Sequence, residues 1–356
     1  MDDTWAQQAI VFVVPGPIST RTGGYIYDAR IVEGLRRRGA RVKVVELTES
    51  SRHTAEDDLR AATVALSRLP AGAVVVIDGL ALTAIADIVE READRLTIVA
   101  LVHLPIAAGV GLDAAIAEQI RVQEGRALRA ARRIIVTSAA TIPLLASYNL
   151  PDGSIRVVEP GTDRAAIARG SDGDMVHLLC VATVNAGKGH EILLRALARV
   201  PGRAWRLTCA GSLTRDPAAV ERVHRVIVEL GIADRVRLAG ELDANSIADC
   251  YNTADVFVLA TLQETYGMAV AEALAHGLPV VSTTTGAIPS LVGTEAGILV
   301  PPGDADALSA ALIRVIDDAD LRARLAEGAR RMSERLPTWN DACEKFAAAL
   351  PTVRHE

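Results

Sequence analysis

The sequence predicts an α/β protein of two doubly wound, Rossmann-like domains facing across a cleft. Three observations predict it. Short aliphatic runs alternate with helical patterns of ten or more residues, which is how parallel βαβ units read. Half of the 356 residues are apolar but only 3% are aromatic, so the apolar content is mostly Ala, Val, Leu and Ile, as strands covered on both faces require. The alternation breaks at a polar, Gly-rich stretch and restarts, and a chain of 356 residues exceeds what one core usually holds.

In chain order, the first series of strands is Ile10 to Val14, Val42 to Leu47, Val74 to Ile77, Thr97 to Val102, Ile134 to Thr137 and Ile155 to Val158. Helical patterns intervene, such as Tyr25 to Arg38 and Leu112 to Ala131. Gly161-Thr162-Asp163 and Gly170-Ser171-Asp172-Gly173-Asp174 interrupt the pattern. It resumes with Val176 to Ala182, Arg206 to Ala210, Val236 to Leu238, Val256 to Leu259, Pro279 to Ser282 and Gly297 to Val300. The expected domains are therefore residues 1–165 and 175–337. The final helical segment, 338–356, has no sheet of its own and is expected to return to the first domain.

The net charge of −6 gives no support for nucleic-acid binding. Arg36-Arg37-Arg38 and the arginines between Arg129 and Arg133 fall at helix ends, where cations complement the dipole; a peripheral membrane contact through them is the weaker reading. No apolar run approaches the roughly 20 residues of a membrane span. The chain opens on Asp2 and Asp3 without a signal-peptide pattern, so a cytoplasmic location is expected. Cys180, Cys209, Cys250 and Cys343 are far apart in sequence and read as small buried residues, not as bridges or zinc ligands.

Three places carry chemistry. Pro15-Gly16-Pro17 and Arg21-Thr22-Gly23-Gly24-Tyr25 join the first strand to the first helix, and paired glycines there let backbone approach a ligand closely. No dinucleotide G-x-G-x-x-G is present. His103 ends the fourth strand in Val102-His103-Leu104-Pro105, where a satisfied core histidine and a functional one are equally expected. Lys188, in Asn185-Ala186-Gly187-Lys188-Gly189-His190, follows the first strand of the second series, where a lysine between glycines can meet phosphate as a point charge. His53, His177, His190, His224, His276 and His355 show no metal-ligand spacing; Asp172-Gly173-Asp174 reads as a solvated turn and Asp304-Ala305-Asp306 as a helix start.

The most informative stretch runs from Glu264-Thr265-Tyr266-Gly267-Met268 to Glu272 and on to Pro279-Val280-Val281-Ser282. A Gly-containing turn opens an Ala-rich helix whose free N–H groups and dipole suit a diphosphate. One carboxylate precedes that helix and another lies two turns inside it, positions from which both can hold hydroxyls of one ligand.

This stretch, with Gly286-Ala287-Ile288-Pro289 and Gly297-Ile298-Leu299-Val300-Pro301-Pro302-Gly303-Asp304, resembles retaining glycosyltransferase family 4, the glycosyl transferases of group 1, whose fold is GT-B. The resemblance implies a sugar-nucleotide-binding second domain and an acceptor-side first domain. It implies that Glu272 holds the ribose, Glu264 lies by the transferred sugar, and the amides of Tyr266, Gly267 and Met268 meet the diphosphate or sugar hydroxyls. Lys188 neutralises the leaving diphosphate, Gly23 and Gly24 line the cleft, His103 sits near the sugar, and Gly211 with Glu241 lies by the base. A UDP- or GDP-sugar is the implied donor, with no metal or other cofactor.

One position departs from the family. An arginine usually stands five residues before the lysine; here it is Thr183. Losing a bidentate guanidinium is expected to cost about 2–4 kcal/mol of transition-state stabilisation unless Arg21 or Arg215 compensates. The expected activity is retaining, metal-independent transfer to a small soluble acceptor hydroxyl. Two other classes stand behind it: a GT-B-like sugar-nucleotide 2-epimerase, and a catalytically degenerate sugar-nucleotide-binding protein.

Overall fold

A computed structural model describes residues 9–47, 56–171, 173–202 and 205–351. Asp2, Asp3, His53, Asp172 and His355, all weighed above, lie outside the described residues. The chain forms two compact units, residues 1–161 with 337–356 and residues 162–336.

The first unit holds a six-stranded sheet: β1 (Ala9–Val14), β2 (Arg41–Glu46), β3 (Val74–Asp78), β4 (Thr97–Val102), β5 (Arg133–Val136) and β6 (Ile155–Val157), in the order β2-β1-β3-β4-β5-β6. Every neighbouring pair is parallel. All five residues of β3 are buried, which is why this strand shows no polar alternation. The strand order reverses between β1 and β3, so their carboxyl ends form the crevice where such sheets bind ligands.

The second unit repeats the plan. Its strands are β7 (Val176–Val181), β8 (Trp205–Ala210), β9 (Val236–Gly240), β10 (Val256–Leu259), β11 (Val280–Thr283) and β12 (Gly297–Val300), ordered β12-β11-β10-β7-β8-β9. All neighbours are again parallel. Here the order reverses between β10 and β7, so the second crevice opens at the carboxyl ends of those two strands.

The linker and the final helical segment both have defined partners. In the stretch expected as a solvated linker, Ala168 N donates to His276 O at 2.8 Å and Ser171 Oγ donates to Asp255 Oδ2 at 2.6 Å, both within the second unit. Near the C-terminus, the helix Trp339–Ala349 starts with a capping box between Thr338 and Asp341. It lies against the helix Gly23–Arg37 of the first unit, where Phe346 stacks on Phe12 at 6.5 Å between ring centroids. The arginine clusters are engaged internally: Arg36 donates to Val42 O at 2.8 Å, Arg38 to Asn340 O at 3.0 Å, and Arg129 to Tyr148 O at 3.1 Å. Among the described residues no helix is long and apolar enough to cross a membrane.

Candidate active site

In the second unit the switch point gathers the predicted residues. The connection after β7 carries Lys188, and the connection after β10 carries Glu264. Their side chains meet, with Lys188 Nζ 2.6 Å from Glu264 Oε2. Each is partly screened, with side-chain exposures of 26% and 16%, so the pair is less solvent-weakened than a surface ion pair.

Local geometry explains the meeting. Asn185 Oδ1 accepts from Gly187 N at 3.0 Å and Lys188 N at 3.2 Å, closing a tight turn under the lysine. The carbonyl of Gly187 then accepts from Leu262 N at 2.8 Å and Thr261 Oγ1 at 3.1 Å, tying the lysine turn to the end of β10. Gly189 sits at φ +66°, and a Cβ there would stand 1.9 Å from Ala260 O, so glycine alone permits this approach. On the other side of Glu264, Gly286 at φ +55° brings backbone so near that its Cβ would lie 2.1 Å from Glu264 O.

The helix Met268–Ala275 begins at Gly267, φ +99°, with no side-chain cap on its first N–H groups. Glu264 therefore stands just before an open, positive helix end, as the stretch predicted. Glu272, in the second turn, accepts from Tyr251 Oη at 2.9 Å. Burial and then Glu272 itself raise the Tyr251 phenol well above its ordinary value, so it stays a proton donor. The Tyr251 ring also stacks on His276 at 4.9 Å and 6° between planes. Burial lowers the His276 imidazole below its ordinary value, against the hydrogen bond to Ala166 O.

The remaining predicted donor residues lie at the same sheet edge. Gly211 follows β8 and donates to Gly240 O at 2.9 Å, at the end of β9, and Glu241 follows exposed. Thr183 lies in the turn between β7 and Lys188, partly buried. Arg215 is in the connection after β8, and Arg21 belongs to the first unit.

The first unit has its own cluster. His103 follows β4 with Nε2 2.9 Å from Asp28 Oδ1 and 3.3 Å from Asp78 Oδ2. Asp78 ends β3, while Asp28 lies on the buried face of Gly23–Arg37 with Ile31 and Leu35. The imidazole is also in edge contact with Tyr27, 5.3 Å between centroids. A Cβ on Gly24 would stand 3.2 Å from His103 Cδ2, so the predicted glycine and histidine are neighbours, with Gly23 opening the helix. Burial works to lower the imidazole, but the carboxylates of Asp28 and Asp78 outweigh it and raise it above its ordinary value. Burial likewise raises the Asp28 carboxyl, against the pull of His103. His103 is thus a half-buried histidine held by two buried carboxylates at the carboxyl edge of the sheet.

Several positioning residues escaped the sequence. Asp28 breaks the apolar face of an otherwise amphipathic helix, a signal that was present. Glu124 has no such signal; it is 2% exposed, accepts from Ile106 N at 2.8 Å and from Tyr148 Oη, and so holds the turn after His103-Leu104-Pro105. Tyr251 and Thr261 had none either, since their partners come from other segments. Cys180 and Cys209, distant in sequence, lie in register on β7 and β8.

A family model described as glycosyl transferases group 1 matches residues 176–318, which lie wholly within this second unit. The second unit is thus similar to the group 1 glycosyl transferases over most of its length. A D-inositol 3-phosphate glycosyltransferase of Xylanimonas cellulosilytica is 31% identical over 59% of this chain and 53% of its own length. The chain spans about half the length of the curated relatives it matches. A solved sucrose-phosphate synthase of Thermosynechococcus elongatus aligns at a TM-score of 0.84 and 22% identity, covering 96% of this chain and 98% of its own. Anabaena HepE, solved with UDP and glucose, aligns at 0.77 and 18% identity over 97% and 99%. The fold of the chain is therefore the expected GT-B class, two doubly wound parallel sheets with flanking helices.

Proposed function

We propose that this protein is a retaining glycosyltransferase that moves a sugar from a UDP- or GDP-sugar to a hydroxyl of a small soluble acceptor and needs no metal ion for transfer. The observation that carries the proposal is the Lys188–Glu264 pair at the β7/β10 switch point, in front of an uncapped helix end. A diphosphate arriving at that end competes for the Lys188 ammonium and separates it from Glu264. Lys188 and the helix dipole then stabilise the charge that builds on the departing diphosphate, while Glu264 turns to the hydroxyls of the sugar. The amides of Tyr266, Gly267 and Met268 take the diphosphate or sugar oxygens, Glu272 takes the ribose, and the segment around Gly211 and Glu241 takes the base. His103, held as an imidazolium, serves the reacting sugar.

In the step itself, the bond from the anomeric carbon to the diphosphate oxygen breaks and a bond to the acceptor oxygen forms on the same face. The acceptor proton leaves with the departing diphosphate. The complex of Anabaena HepE with UDP and glucose supports a uridine donor, and the inositol phosphate for which the relatives are named is of the small, soluble class proposed as acceptor. Where Thr183 replaces the usual arginine, Arg215 or Arg21 supplies the second positive charge.

The test is turnover of UDP- and GDP-sugars with a polyol acceptor panel, with the product anomer read by NMR. Lys188→Ala should lower kcat about 10²–10³-fold with the fold intact. An inverted anomer, loss of transfer on adding a chelator, or a Lys188→Ala enzyme of full activity each removes part of the proposal. Substituting Arg215 and Arg21 with Ala in turn tests the compensation; unchanged turnover in both eliminates it.

A further inference from the structure

We propose that Cys180, Cys209 and His190 form a binding site for one soft divalent metal ion of the zinc class, buried behind the Lys188 turn and independent of sugar transfer. The topology creates the site. Cys180 and Cys209 are register partners on the adjacent parallel strands β7 and β8, so their side chains leave the same face of the sheet. His190 begins the helix His190–Ala198 directly after Gly189, which is held against Ala260, the residue following β10. The three side chains converge: one ligand atom from each lies within 4.8 Å of the others. A tetrahedral ion with sulfur ligands at about 2.3 Å and nitrogen at about 2.0 Å needs its ligands roughly 3.5–3.8 Å apart, within reach of small rotamer shifts.

Donor type and charge fit as well. Two thiolates and one neutral imidazole neutralise a dication, and the fourth position is left to water. On binding, both thiol protons go to solvent, so uptake of one ion releases two protons. The competing reading, that these are ordinary core cysteines, accounts for sulfur burial at 1% and 3%. It does not account for the imidazole, 3% exposed, whose Nε2 is turned to the two cysteines and meets only Cys180 Sγ, at 3.9 Å. Buried polar rings are normally satisfied, and a ring left with one weak sulfur contact points to a missing partner.

The experiment uses the full, reduced, chelator-treated chain and Co²⁺ as spectroscopic probe, added to the native protein and also during refolding. The expected result is one equivalent bound, with near-ultraviolet sulfur-to-cobalt charge transfer and the intense visible bands of four-coordinate cobalt. Cys180→Ser, Cys209→Ser and His190→Gln should each weaken or abolish the bands, while Cys250→Ser and Cys343→Ser leave them intact. Absence of the bands by both routes, or bands that follow Cys250 or Cys343, overturns the site. Because a core serine can unfold the chain, the unaltered protein gives a second reading. With Zn²⁺ present, Cys180 and Cys209 should alkylate at least tenfold more slowly and Cys250 at an unchanged rate; equal slowing, or none, overturns the proposal.

Discussion

At the scale of single residues, the Asp28–Asp78–His103 cluster shows how charge is stored in the first unit. Two carboxylates, 1% and 4% exposed, face one imidazole nitrogen. Their attraction for the proton exceeds the burial that opposes it, so the imidazole is raised above its ordinary value near 6.5. A histidine raised on folding contributes stability that is fully present below its unfolded value and fades as pH rises through the higher folded value. The ring of His103 should therefore remain protonated at pH 7.5, read from its carbon and nitrogen chemical shifts. Asp28→Asn removes the nearer carboxylate and leaves burial opposed mainly by Asp78, so the folded value must fall, with a drop of at least one unit expected. A ring that titrates unchanged in that variant would show that Asp28 does not hold the proton. Removing the ring itself, in His103→Ala, leaves two carboxylates buried side by side and should cost about 3 kcal/mol in urea unfolding, the usual range for breaking a buried ion pair.

At the scale of elements, the site is a set of turns held at the ends of strands, and its weak points are where backbones touch. Gly286 is one: at φ +55°, with the place of its Cβ occupied by the Glu264 carbonyl, alanine is both conformationally and sterically excluded. Gly286→Ala should lose roughly 3 kcal/mol of stability and displace Glu264, so activity should fall even where the protein remains folded. Normal turnover in a folded Gly286→Ala protein would mean that the turn can shift without moving the carboxylate. Tyr251 tests the other carboxylate. Tyr251→Phe keeps the ring stacked on His276 and removes the hydroxyl that donates to Glu272 at 2.9 Å and, more weakly, to Ala269 O at 3.3 Å. It should weaken nucleotide binding by about 1 kcal/mol, roughly fivefold in Kd by calorimetry, with little change in kcat at saturating donor. A kcat loss without a Kd change would place Glu272 at the sugar instead of the ribose. The strands among the described residues were legible because the central ones, such as β3 and β4, are almost wholly Val, Ile and Leu and stand out from the Ala-rich helices. Lys188 and Glu264 were legible because glycine marks the turns that present them. Glu124 and Tyr251 were not, because each acts through a partner from a distant segment, and one sequence carries no trace of that pairing; Asp28 left only a carboxylate on an apolar helix face, with nothing to name His103 as its partner.

For the whole molecule, the decisive feature is that the chain leaves the first unit at Gly161 and re-enters it at Pro337. The final helix is thus a structural part of a unit whose other residues were completed much earlier in the chain. Its contacts are those of a core element: Trp339 lies 6.1 Å from Tyr27 between ring centroids, Phe346 is fully buried against Phe12 and Tyr27, and Cys343 fills the space that Gly34 leaves open. A Cβ at Gly34 would meet Cys343 Sγ at 2.0 Å, so the thiol packs directly on the glycine backbone. Phe346→Ala should accordingly cost about 3–5 kcal/mol, the range for emptying a buried aromatic site. A chain ended after Leu336 removes the whole helix and uncovers Phe12, Tyr27 and Ile31 together, a loss that exceeds the usual stability of a domain this size. The second unit, residues 162–336, gives up no residue in that truncation. The expected outcome is a chain in which the first unit is open to proteolysis while UDP or GDP still protects the second, raising its unfolding free energy by about 2.7 kcal/mol at 100 times the dissociation constant. If the truncated chain instead resists proteolysis throughout, the final helix is an accessory to the first unit, and the buried aromatic cluster contributes less than its burial implies. If both units fail together and the nucleotide protects neither, folding of the second unit depends on the first, and nucleotide binding must then be tested only in the full chain.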